Sequence, residues 1–415
     1  MIQSKRHIWL LIFVYSLYLF TKILLAFRLG ESSATRNPDT LDYFNYAENF
    51  WTVFFDKQLI FGELGLLRTP AYPFLLHIIG GENWIIVILI HNLFVIGASL
   101  LIFQVVSQFS TKRIAVISAL IPLLDPGVFI ESTYLLTETM LMFLITFAIW
   151  IPFTSSGNLL RGTIFALTIL VLPLIKPIAL FFIPFLVWHY RAVTLSKFRT
   201  LFYISIVPIS GLFLYAIKNL FIYGVPRISS IDSLNLLYYE GAYLESLANG
   251  MDLAEVQVTL SIEEKQLDVK GSSIHGVIDF RTERGAELIR ENIIYAPYAR
   301  AIGLIKLLFG TGATSIRNWL SAFPQEVVFS IIGAGIVFLI TVNIATFIGV
   351  FSIISTKNRT FVPLFLLFFV ALVLSSGANA YSRFRVPLVP MIAIFVALGI
   401  SYMQKRRRNR IASRE

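Results

Sequence analysis

The chain contains no cysteine, which excludes disulfides, thiolate metal sites and thiol nucleophiles. Charge is scarce as well. Asp, Glu, Lys and Arg make up 14% of the 415 residues, against about 25% in a typical soluble domain, too few to clothe a large water-exposed surface. No glycine-rich phosphate loop of the nucleotide-binding kinds occurs, and there is no internal repeat or low-complexity stretch. His77, His91 and His275 share no ligand spacing, so no dedicated zinc site is expected. What is abundant is apolar: 57% of residues are hydrophobic, with 37 Phe and 17 Tyr, and mean hydropathy is +0.77. That aromatic loading suits lipid contact and headgroup belts.

A spanning helix needs about 20 mostly apolar residues. Such runs occur over 8–27, 84–107, 114–124 (running into a break), 134–153, 162–175, 177–190, 201–221, 327–354, 361–375 and 384–403, with Pro173, Pro177 and Pro184 interrupting the middle pair. The sequence predicts an all-α integral membrane protein, a bundle of about ten transmembrane helices. Two segments are too long to be turns. The first, 28–83, lies within an N-terminal transmembrane part, 1–221. The second, 222–323, holds about half of the acidic residues and precedes a C-terminal part, 324–415. Within it, the stretch Tyr295–Phe309 is apolar on one face and basic on the other, which suits the interface plane.

Charge asymmetry sets the expected orientation. With the N-terminus inside, Lys5-Arg6, Lys112-Arg113, Arg161, Arg191 with Lys197 and Arg199, Lys357 with Arg359, and the tail Lys405–Arg408 all fall on the cytoplasmic side. Of the 24 acidic residues, all but Glu415 fall in outer segments or at outer helix ends. Both termini are therefore expected inside. No small-residue cleavage site follows the first helix, so it is expected to be a retained anchor. The basic tail suits anionic lipid rather than nucleic acid.

The first outer segment is the richest in chemistry. It contains Asn37-Pro38-Asp39-Thr40-Leu41-Asp42-Tyr43 and, later, Arg68-Thr69-Pro70-Ala71-Tyr72-Pro73. Pro38 followed by an acid suits a helix start, and Asp39 and Asp42, three apart, share one side of that helix. Such a pair can supply a general base and an orienter, or hold a divalent cation; it can equally be a helix cap with a solvated neighbour. Glu138 lies among apolar neighbours, where an acid is costly and is read first as functional. It can alternatively cap a break, paired with Lys176. Cations on the same side are Arg68, Lys176, Arg383 and Arg385. Each also has a plain structural role open to it: Arg68 tied to Glu63, Lys176 snorkelling beside Pro177, the last two as headgroup anchors.

The pattern Asp39-x-x-x-Tyr43-x-x-x-Ala47 followed by Arg68-Thr69-Pro70-Ala71-Tyr72-Pro73 resembles the first outer loop of the GT-C membrane glycosyltransferases, which include the protein O-mannosyltransferases and the lipid A aminoarabinose transferase. Pro126 through Tyr134-Leu135-Leu136-Thr137-Glu138, Lys176-Pro177, and Tyr381 through Pro390 resemble further landmarks of that superfamily, in the same order. The resemblance implies interfacial helices of the first outer loop over a cavity. It also implies transfer of a sugar from a polyprenyl-phosphate donor to a hydroxyl of a lipid, glycan or protein acceptor. Asp39 is then the base, with Asp42 as its rival, because relatives often carry Asp-Glu where this chain has Asp39-Thr40. Arg68, Lys176, Arg383 and Arg385 are expected on the donor phosphate, and Tyr43, Tyr72, Glu138 and Tyr381 in the substrate pocket. No cofactor is required; a divalent cation, if used, would sit on Asp39 and Asp42. The expected location is the cytoplasmic membrane of a bacterium, with the site facing the periplasm or exterior. Two other functions compete: an O-antigen-type glycan polymerase or ligase, whose main outer loop falls late in the chain, and a lipid or solute transporter or flippase. A transporter should show matching halves and mid-membrane ionisable groups.

Overall fold

The computed structural model describes residues 2–31, 35, 37–55, 60, 62–80, 83–155, 158–269, 273–356, 359–377 and 381–413. Lys357 and Glu415, used above to orient the chain, lie outside them, as do the side chains of Lys5 and Arg6. Every regular element among the described residues is helical. Among the described residues, six helices are long and apolar enough to cross a membrane: Trp9–Leu29, Trp84–Ser107, Pro177–Thr194, Arg199–Tyr223, Gln325–Ser355 and Ser382–Ala412. A bent pair, Ile293–Phe309 and Ala313–Trp319, makes a seventh if its 44° break is counted as one span. The protein is thus a multi-pass helical membrane protein. Shorter apolar helices, Glu138–Phe153, Leu159–Ile175 and Val362–Ser375, complete the bundle.

In chain order, α1 (Ile2–Leu29) leads into segment 28–83, called the first outer segment after its expected side, as 222–323 is the late one. It folds as α2 (Pro38–Glu48), two short turns, and α3 (Ala71–Ile79). Next come α4 (Trp84–Ser107), α5 (Lys112–Leu124) and the single-turn α6 (Pro126–Glu131). The middle of the bundle is α7 (Glu138–Trp150), α8 (Asn158–Ile175), α9 (Ile183–Thr194) and α10 (Phe198–Tyr223). The late outer segment carries α11 (Leu253–Val269), α12 (Ile274–Glu291), α13 (Ala296–Phe309) and α14 (Ala313–Trp319). The chain finishes with α15 (Gln325–Thr356), α16 (Val362–Ser375), the short α17 (Ser382–Arg385) and α18 (Val389–Ala412).

The core is built around α18, whose residues from Val389 to Leu398 are all buried. It crosses α15 at contact distance. A side chain at Gly349 would collide with the Phe395 carbonyl, and one at Gly399 with that of Ala345. Small residues let two membrane helices approach backbone to backbone, where van der Waals packing replaces the missing hydrophobic drive.

The two outer segments are fastened together. Ser230 donates its amide to the Leu66 carbonyl at 3.0 Å, and the Ser229 hydroxyl donates to the Leu67 carbonyl at 2.9 Å. Arg281 grips Glu63 at 2.7 Å and Glu264 at 2.8 Å. Glu63 is therefore occupied by Arg281 and Ser230, and it is not the partner of Arg68.

Candidate active site

Local sequence rules place each charged group. Asn37 caps α2, its side chain accepting from the Asp39 amide at 3.0 Å, with Pro38 opening the first turn. Asp39 thus sits where the exposed N–H groups favour a carboxylate. Lys176 precedes Pro177, and proline disfavours a helical conformation in the residue before it. Lys176 is accordingly extended, with φ −150° and ψ 118°, in a break between α8 and a 3-10 turn. Thr69 ties the first outer segment to that break by donating to the Ile175 carbonyl at 3.0 Å. This sets Arg68 near Lys176.

These elements bring together most of the expected residues. Arg68 bonds Asp39 at 2.6 Å and Asp42 at 2.8 Å. Arg383 bonds Asp39 at 2.8 Å and Glu138 at 2.5 Å. Lys176 reaches the same Glu138 oxygen at 2.7 Å. The result is one connected chain, Asp42–Arg68–Asp39–Arg383–Glu138–Lys176, with the Tyr381 hydroxyl 3.4 Å from Arg383. The Arg68 guanidinium lies 5.3 Å from the Tyr43 ring centre, and the Lys176 ammonium 5.1 Å from that of Phe384.

The network borders a cavity of about 430 Å³. Asp39, Arg68, Lys176 and Arg383 line its polar end, and Ile175, Ile178, Phe182, Leu374 and Leu388 are among its apolar walls. Residues of the late outer segment, including Ile231, Leu234, Tyr239 and Glu240, line it too. Tyr43 and Tyr381 reach it. Tyr72 does not: it is buried beneath Tyr43, bonded to His91 at 3.1 Å. Glu138 is fully buried behind the cations, and Asp42 stands behind Arg68 rather than in the cavity.

One expected phosphate ligand is redirected. Arg383 and Arg385 are two apart on α17, and residues at that spacing leave a helix on different sides. Arg385 is 1% exposed. Its Nε and Nη2 donate to Asp125 at 3.0 Å, and its Nη1 to the carbonyls of Leu307 at 2.7 Å and Gly310 at 2.9 Å. It is a structural clamp and does not line the cavity. The Asp39–Asp42 pair also does not suit a divalent cation, because the Arg68 guanidinium already joins both carboxylates. Among the described residues, no cluster of three or more His, Asp or Glu has metal-binding geometry.

Asp125, Glu131 and Lys22 were missed by sequence reasoning. Asp125 was visible as an N-cap, since an acid directly precedes Pro126, and it accepts from the amides of Gly127 and Val128. Lys22 is buried in α1 and donates to the Phe129 carbonyl at 2.5 Å.

Burial pushes the Asp39 carboxyl up, but the Arg383 and Arg68 guanidiniums more than reverse this and hold it below its ordinary 3.8. Asp39 is consequently ionised throughout the neutral range. If it is the base of an enzymatic step, kcat/KM should show no acid limb from this group above about pH 5. A limb near pH 6, unchanged when Asp39 is replaced, would hand the base role to another residue.

The chain matches no protein-family model and no curated protein.

Proposed function

We propose that this protein is a membrane glycosyltransferase of GT-C type, moving a sugar from a polyprenyl-phosphate donor to an acceptor hydroxyl. One observation carries the reading: three cations and the Asp39 carboxylate they surround converge at the polar end of a cavity whose remaining walls are largely apolar. An isoprenoid chain suits the apolar walls, and its phosphate suits Arg68, Lys176 and Arg383. The order of sequence landmarks supports the same family.

In the proposed reaction the acceptor oxygen attacks C1 of the sugar and its proton passes to Asp39. The C1–O bond to phosphate breaks, and polyprenyl phosphate leaves with the electron pair, held by the cations. The resting ion pairs make Asp39 a weak base. An anionic donor drawn onto Arg68 and Arg383 would offset their pull and restore its basicity, so that donor binding arms the base. Asp42 acts through Arg68, orienting it.

The ten-span threading, with both termini cytoplasmic, supports this use of the outer face of a bacterial cytoplasmic membrane. It adds α5 and the three shorter apolar helices to the six long spans. A reporter fused after Lys405 should read cytoplasmic and one inserted near Glu264 external; the reverse pair would place the cavity on the nucleotide-rich side and remove the lipid-donor argument. The direct test is mass spectrometry of lipids and surface glycans from wild type, a deletion and an Asp39→Asn strain. Loss of one sugar with accumulation of its polyprenyl-phosphate form in both mutants is expected. Unchanged glycans in Asp39→Asn, beside a deletion phenotype, would favour transport.

A further inference from the structure

A second cavity, of about 420 Å³, adjoins the first; that size is usual for small-molecule sites, which run to about 300–1,000 Å³. Asn37 and Tyr381 line both, so the two spaces meet at these side chains. Asn37 caps the helix that carries Asp39, and Tyr381 touches Arg383, which holds Asp39. A group seated in the second cavity and reaching past this pair therefore arrives beside Asp39.

Glu131, Tyr134, Lys306 and Ser315 line the second cavity as well. Tyr134 and Ser315 share a hydrogen bond of 3.1 Å, and the Tyr134 ring lies 5.8 Å from that of Trp319. Glu131 is the informative residue. It is only 4% exposed, and its Oε2 has no hydrogen-bond partner among the described residues. An unbonded buried carboxyl oxygen costs stability, and here it belongs to a side chain that lines the second cavity. Burial pushes Glu131 up to about 8, with Glu138 adding to the effect and Arg383, Lys176 and Lys22 opposing it. A neutral carboxyl both donates and accepts, the pairing a sugar hydroxyl requires. The lining as a whole is rich in hydroxyls and carries a single cation.

We propose that the second cavity is the acceptor site and that it takes a sugar residue, with Glu131 hydrogen-bonding one hydroxyl so that another points past Asn37 and Tyr381 to Asp39. This rests on the glycosyl-transfer reading and deepens it from any acceptor to a glycan end.

The test uses the full chain in detergent and two probes. A panel of methyl glycosides at millimolar concentration is followed by ligand-observed NMR, and a short-chain polyprenyl monophosphate by thermal shift. At least one glycoside should bind saturably. Its affinity should fall about tenfold in Glu131→Ala, the upper worth of one neutral hydrogen bond, and largely recover in Glu131→Gln. Binding should vanish in Ser315→Trp, which fills the cavity. The polyprenyl monophosphate should still bind all three and be lost in Arg68→Ala. Because its Oε2 bonds nothing, Glu131→Ala should unfold no earlier than wild type; a lowered midpoint would make the residue structural and overturn the proposal. Glycoside binding unchanged in both Glu131→Ala and Ser315→Trp, or absent from wild type, overturns it while leaving the donor result intact. Failure of wild type to bind the polyprenyl monophosphate instead strikes the glycosyl-transfer reading itself.

Discussion

Asp39→Asn should reduce sugar transfer by about 10²–10⁴-fold, the usual worth of a positioned general base, in protein that still folds. The amide keeps the carboxylate's shape but accepts no proton from an attacking hydroxyl. Folding should survive because each cation bonded to Asp39 has a second acid: Arg68 keeps Asp42 and Arg383 keeps Glu138. The side chain is also 27% exposed, so little packing depends on it. Asp42→Asn separates the two candidates for the base. Asp42 is removed from the cavity by Arg68, so its loss should loosen that guanidinium and raise the donor KM more than it lowers kcat. A dead Asp42→Asn beside an active Asp39→Asn would reverse the assignment. Transfer is measured on purified protein with a lipid-linked donor, and folding by intrinsic fluorescence.

Asp125→Ala should cost about 3–5 kcal/mol of stability, the range for stripping one partner from a buried ion pair. Arg385 would be left as an uncompensated cation beneath α6, and α6 would lose its cap as well. The replacement Asp125→Leu with Arg385→Met should cost less than the two single changes added together, since a removed pair leaves no orphaned charge. The measurement is a double-mutant cycle on unfolding midpoints in one detergent. If Arg385 instead served the donor, its loss would leave the midpoint alone and raise the donor KM. That is the result expected for Arg68→Ala, and the contrast decides between the two roles.

The sequence was legible where one residue's environment depends on its neighbours. Apolar runs marked the helices, Asn37-Pro38-Asp39 marked a helix start, and Lys176-Pro177 marked a break. The ionisable residues singled out on the outer side, Asp39, Arg68, Glu138, Lys176 and Arg383, do form one network in the structure. What stayed hidden depends on contacts between distant segments. The Arg385–Asp125 pair spans 260 positions, and nothing local says which of two arginines on one helical turn will face which acid. Glu131 was visible as an acid near an apolar run, but its missing partner and its cavity are properties of packing. The span count is softest where α5, only 13 residues long and opening on Lys112-Arg113, is too short to declare itself. The late outer segment was read as a loop with one amphipathic stretch, whereas most of its described residues are helical. Their contacts with Glu63, Leu66 and Leu67 make that segment the cover of the cavity.

Lys22 has a consequence for biogenesis. In the finished fold it is withdrawn from solvent, donating to the Phe129 carbonyl and the Thr133 hydroxyl. Those acceptors lie 107 or more positions downstream. At about 5–20 residues per second of synthesis, the ribosome needs roughly 5–20 s to deliver them after Lys22 has been made. During that interval α1 holds a lysine whose ammonium must reach for the headgroups. The first helix is therefore parked rather than seated when it enters the bilayer, and its docking against α6 belongs to assembly, after Phe129 and Thr133 have been translated.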